Sequence, residues 1–291
     1  MSKSGIFTSS LAKKYWMALS GLFLITFLVG HLLGNLQLIY SYDNAEAGRR
    51  AFNEYAYFMG HNIFIKILAY VTYASILLHA CIGLYLAVQN KKARPKNYAY
   101  NRPGTNSGTA SRYMAILGTL ILIFIVTHMA NFWWKQKVTG DVPLHTKEIA
   151  VPGNPMMQTE EQKIKLYLTT NGTYIPSEGV EVKNHSELYA KEVDIKVGEG
   201  YKDLHTVVMN FFGHSEQGQP TNEYALWAVI LYVISMFVLM FHLWHGFGSA
   251  FQSLGLNHKK YNGLITFTGK AFSIVVPLAF AIIPVLIYFN R

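Results

Sequence analysis

Five histidines stand inside runs of apolar residues: His31 in LVGHLLGN, His79 in ILLHACIG, His128 in FIVTHMAN, and His242 with His245 in MFHLWHGF. An ionisable ring loses its hydration among hydrocarbon side chains. Such residues persist where they bond across helices, move protons or bind a metal. Neutral imidazole ligates iron well, and a six-coordinate haem iron takes one ring on each face. With both axial positions filled, the chemistry is electron transfer rather than oxygen activation.

The elements that must hold these rings are five stretches of mostly apolar residues, about 15–40, 63–89, 112–135, 223–250 and 264–289. Each can cross a hydrocarbon core of about 30 Å, which takes roughly 20 helical residues. The alternation of a β-barrel is absent, so helices must satisfy the backbone in lipid. The chain is 51% hydrophobic and 14% charged, against roughly 25% charged residues in soluble domains. The expected fold is an all-α integral membrane protein: five transmembrane helices forming a haem-binding bundle, with a small external insertion of some β character.

Charge distribution orients the bundle. Residues 90–111 hold Lys91, Lys92, Arg94, Lys96 and Arg102 and no acidic residue; Lys3, Lys13 and Lys14 precede the first span, and Lys259 and Lys260 lie between the last two. Short basic loops stay in the cytoplasm, so the N-terminus is expected there. The formal charge of +9 is therefore membrane topology, and a nucleic-acid partner is not implied. The expected division is 1–135 with the first three helices and the cytoplasmic loop 90–111, an extracytoplasmic insertion 136–222, and 223–291 with the last two helices. Within the insertion EIAVPG, KIKLYLTT, YIPSEG and EVDIKVG alternate polar with branched or aromatic residues, as short strands do.

Depth sorts the histidines. His31 lies 31 − 14 = 17 residues after Lys14 and His128 lies 128 − 112 = 16 after Arg112, about 24–26 Å from the cytoplasmic entry at 1.5 Å per residue. His79 precedes Lys91 by 91 − 79 = 12 residues and His242 precedes Gln252 by 252 − 242 = 10, about 15–18 Å from the cytoplasmic end. Two layers of two rings result, the arrangement that two stacked bis-imidazole haems need. His245 is one helical turn from His242, so spacing alone leaves either as the fourth ligand. Gly30, Gly34, Gly83, Gly118 and Gly246 lie within reach of these rings, where they admit a flat macrocycle or simply close helix packing. Lys14, Ser20, Ser111 and Arg112, near the cytoplasmic ends, suit either haem propionates or interface anchoring.

Other chemistries are excluded. The single cysteine, Cys81, allows no intrachain disulfide and no cysteine-held iron–sulfur cluster. No glycine-rich loop follows a strand, so a bound nucleotide cofactor is unsupported. The first apolar run is too long for a signal peptide and reads as a retained span.

The segments HLLGNL, RPKNYAYNRP followed by SRYM, and FHLWHGFGSAFQSLGLN resemble the one-subunit, five-helix, di-haem cytochrome b anchor of bacterial succinate dehydrogenases and fumarate reductases. The resemblance covers all five spans and leaves 136–220 outside. It implies two haem b groups, with His31 and His128 on the outer iron and His79 and His242 on the inner one. It favours His242 over His245 as ligand, with His245 supporting it or a propionate. It implies flavoprotein and iron–sulfur partner subunits on the cytoplasmic face, menaquinone or another quinone as substrate, and a bacterial cytoplasmic (inner) membrane location. It is compatible with higher oligomers. Succinate chemistry would then occur in another subunit. Glu54 lies near the place of a glutamate that borders the quinone site in some members, and reads equally as a solvated loop carboxylate. Met240 stands where some fumarate reductases carry a proton-conducting glutamate, so that path is not expected. Two other readings compete: the cytochrome b anchor of a hydrogenase or formate dehydrogenase, and a non-redox membrane protein whose histidines hydrogen-bond between helices.

Overall fold

A computed structural model describes residues 9–40, 44–93, 105, 108–152, 162–213 and 222–289. Lys3 and the whole of RPKNYAYNRP, with Arg94, Lys96 and Arg102, lie outside the described residues. Among the described residues, five helices are long and apolar enough to cross a membrane: Ser10–Leu36, Ile63–Lys92, Met114–Thr139, Ala225–Ser253 and Lys259–Phe289. Their bounds are shifted by a few residues from the hydropathy runs. The first ends at Leu36 rather than near residue 40, and the third continues to Thr139.

In chain order the helices are α1 (Ser10–Leu36), α2 (Ala45–His61), α3 (Ile63–Lys92), the single turn α4 (Thr109–Arg112), α5 (Met114–Met129), α6 (Leu204–Phe212), α7 (Ala225–Ser253) and α8 (Lys259–Phe289). A π-helix, Ala130–Thr139, continues α5. Gly140 (φ +72°) turns the chain out of it, with the His185 ring against the space a side chain would take. The chain forms two compact units.

The first unit comprises Met1–Leu36, Ile63–Thr127 and Glu223–Arg291. In it α1 packs on α3, α7 and α8, and α7 packs along α8. Gly269 makes the last contact close: a Cβ there would meet Phe247 Cδ1 at 2.6 Å. Apolar side chains such as Phe64, Ile123 and Phe267 remain exposed, 57–76%, which lipid accepts and water would not. Pro277 and Pro284 lie inside α8, tolerable where neighbouring helices cover the freed carbonyls.

The second unit comprises Gln37–Asn62 and His128–Asn222. Between the first two spans lies the 17-residue helix α2, which belongs to the same unit as the insertion. Asn44 caps α2 by accepting from the Ala47 N–H at 2.8 Å. Phe52 and Asn53 are its buried face.

Besides α2, α6 and the π-helix, the described residues of this unit form two antiparallel three-stranded sheets, β1-β2-β3 and β4-β5-β6: β1 (Thr146–Val151), β2 (Gln162–Leu168), β3 (Tyr174–Pro176), β4 (Val180–Lys183), β5 (Glu187–Ala190) and β6 (Ile195–Glu199). The expected β character is therefore present. Asn184 and His185, φ +51° and +64°, make the β4–β5 hairpin, whose twist favours two left-handed residues. Leu168 and Leu188 are fully buried, and Leu144, Tyr201 and Phe212 are buried as well.

Candidate functional site

Within the first unit, α3 and α7 bring His79 and His242 together. Their ring centroids are 6.2 Å apart and the planes are inclined at 70°. Of the two histidines on the turn of α7, His242 is the one whose ring meets His79. The Ser20 hydroxyl of α1 lies 3.1 Å from His79 Nδ1 and itself donates to the Trp16 carbonyl at 2.7 Å. Where the hydroxyl proton goes to that carbonyl, His79 Nδ1 is the donor to the Ser20 oxygen. Nε2 then carries the lone pair, the state of a metal-ligating ring whose other nitrogen is held by a neighbour.

His242 Nδ1 is buried and has no hydrogen-bond partner among the described residues. An unpaired polar atom in such a position costs about 1–3 kcal/mol, so the ring is not there for packing alone. Glycines border both imidazoles. A Cβ on Gly21 would lie 3.1 Å from His79 Cε1, and one on Gly118 would lie 3.6 Å from His242 Cε1.

His31, on α1, sits between the rings of Phe27 and Phe280 at 5.4 and 5.6 Å. Asn35 donates to its carbonyl at 2.8 Å. His128 is the penultimate residue of α5, with the Phe132 ring 5.4 Å away in an edge-on contact. His31 belongs to the first unit and His128 to the second, so their pairing rests on depth along the helices.

No family model, curated protein or solved structure matches this chain.

The remaining expected site residues are scattered. The Ser20 hydroxyl is engaged by the Trp16 carbonyl and His79. Lys14 is exposed, and Arg112 reaches Thr109 Oγ1 of its own turn at 3.3 Å. Glu54, in the second unit, pairs with Arg50 at 2.7 Å, both 40% exposed. Gly30 has nothing within 4 Å of a Cβ, while Gly83 and Gly246 face methionine methyls of Met17 and Met114. Gly21, against His79, went unnoticed in the sequence although it follows the other small residue, Ser20, in ALSGLF.

The second unit contains a polar cluster that no spacing announced. Arg49 donates to Asp203 Oδ2 through Nε (2.9 Å) and Nη2 (2.5 Å) and to the Thr146 carbonyl (2.9 Å). Asn53 Nδ2 donates to Asp203 Oδ1 at 2.8 Å and to His145 Nδ1 at 3.1 Å, while its Oδ1 accepts from the His205 N–H. His145 Nδ1 is thus an acceptor, and its Nε2–H faces Glu46 Oε1 at 2.8 Å. The ring closes where Arg49 Nη1 meets Glu46 Oε2 at 3.4 Å. Burial by itself would raise both carboxylates. The Arg49 bonds, with those of Thr206 and Asn53, outweigh it and hold Asp203 below its ordinary range. The His145 hydrogen bond and the charges of Arg49 and Lys147 do the same for Glu46.

Proposed function

We propose that the chain is a membrane-embedded electron carrier: a di-haem cytochrome b anchor of the succinate dehydrogenase and fumarate reductase type. It would pass electrons between an iron–sulfur subunit on the cytoplasmic side and a membrane quinone. The observation that carries this reading is the His79–His242 pair.

The residues fit the group. His79 and His242, whose ring centroids are 6.2 Å apart, are the residues that would hold the group. Ser20 fixes the tautomer of His79, the unpartnered nitrogen of His242 calls for an interaction, and Gly21 and Gly118 keep side chains away from both rings. Haem iron with two axial imidazoles supplies one-electron transfer. The protein's own part would be to orient the two rings from α3 and α7, with Ser20 of α1 against one of them. The outer site, by depth and by resemblance, uses His31 and His128.

Cations without acidic neighbours at the cytoplasmic ends, Lys13, Lys14, Lys91, Lys92, Lys259 and Lys260, suit a soluble partner with an acidic face. The separation of the His79 and His242 rings also lies within the usual range of aromatic contacts, which favours the rival reading of a non-redox helical membrane protein. A reduced-minus-oxidised spectrum with a haem count on the purified chain separates the two. Two b-type haems per chain are expected, and none would overturn the proposal. Co-purification with a flavoprotein and an iron–sulfur protein supports the succinate assignment; a nickel or molybdenum subunit in their place identifies a hydrogenase or formate dehydrogenase anchor.

A further inference from the structure

The segment DLHTVVMNFF begins with a capping residue and ends in two aromatics, and both ends are used. Asp203 starts α6 by accepting from the Thr206 N–H at 3.1 Å, as N-cap carboxylates do. The same carboxylate is gripped by Arg49 and Asn53 of α2, so the helix start is fixed to a buried polar cluster. At the other end the Gly213 N–H closes on the Met209 carbonyl at 2.8 Å, and Asn222 donates to the Phe211 carbonyl at 2.9 Å.

Phe211 and Phe212 are edge-on to each other at 4.8 Å and lie 5.1 and 6.1 Å from the ring of Phe132. Phe132 in turn contacts His128 four residues earlier, at 5.4 Å. Phe212 is 4% exposed. A continuous aromatic stack therefore runs from the imidazole to α6. It passes through the π-helix Ala130–Thr139, a winding that recurs at functional sites because it re-aims side chains.

We propose that α6 is a water-excluding cover over the His128 end of the third span, reserving the redox site there for a lipid-soluble partner such as a quinone and closing it to water-soluble ones. Phe211 and Phe212 are positioning residues, and Asp203 with Arg49 sets where they stand. The inference rests on His128 being a haem ligand, as proposed above.

The test uses membrane vesicles of the full chain with the second unit facing the medium and both haems reduced. Ferricyanide, which cannot cross the membrane, takes one electron from each reduced haem it can reach. Reoxidation of the haem that His128→Ala removes is expected to be slow, and about tenfold or more faster in Phe211→Ala/Phe212→Ala, as for any site uncovered by loss of a local cover. Phe211→Leu/Phe212→Leu keeps the apolar cover and should behave as the parent. Equal rates in parent and alanine variant, with both haems retained, overturn the cover. Absence of haem overturns the reading of His128 instead, and a second measurement then still judges the cover. In a Cys81→Ser background, Phe132→Cys should react slowly with an impermeant maleimide and about tenfold faster when Phe211 and Phe212 are alanine; equal labelling rates overturn it.

Discussion

Ser20 Oγ of α1 stands 3.1 Å from His79 Nδ1 of α3, a contact between residues 59 positions apart. Neighbours that hold the non-ligating nitrogen of a histidine typically change metal affinity 10–100-fold when removed. Ser20→Ala is expected to weaken haem retention at the His79–His242 pair by that order, measured by haem titration of the purified chain. His31-dependent haem should be unaffected.

Glycine substitutions should separate by contact. Gly21→Ala drives a Cβ to 3.1 Å from His79 Cε1, whereas Gly30→Ala meets nothing within 4 Å. The first should lower occupancy of the same haem. The second should leave it unchanged and raise thermal stability by roughly 0.5–1 kcal/mol, the gain of alanine over glycine within a helix.

Asp203 is 1% exposed and its partner Arg49 22%. Removing one member of a buried pair leaves an uncompensated charge, at a cost of about 3–5 kcal/mol. Arg49→Met should therefore make the second unit sensitive to limited proteolysis, while haem at His79 and His242 persists. Resistance equal to the parent would show that the ring contributes little.

Acid should act through the same ring. Asp203 and Glu46 are held below their ordinary values in the fold, so their contribution is fully present above the unfolded carboxylate values of about 4. It is lost as pH falls through the lower folded values. The second unit is thus expected to stay folded through mild acid and to open only below about pH 4, followed by hydrogen exchange. In Arg49→Met only the Thr206 and Asn53 bonds still oppose burial at Asp203, and the transition should move to higher pH.

Local features were readable in the chain because they are local. Span length and apolarity depend on twenty consecutive residues, and those alone marked five helices that are all present. The short strands followed from alternation. α2 escaped notice because its mixed charges conceal one apolar face, Gly48 and Phe52 beside Asn53. α6 is only 9 residues long, too short for periodicity to stand out.

The sequence by itself determined that histidines lie at membrane depth and at which heights, since helical rise converts residue number into distance. Only the tertiary structure decided which ring His79 meets, that Ser20 rather than solvent holds its Nδ1, and that Glu46, Asn53 and Arg49 close on His145 and Asp203. Asn53 and Asp203 are 150 positions apart, and Glu46 and His145 are 99 apart. No periodicity reaches that far: such partners are chosen by packing, which brings α2 onto strands and a helix folded from a distant part of the chain, where each buried polar group must find its bond.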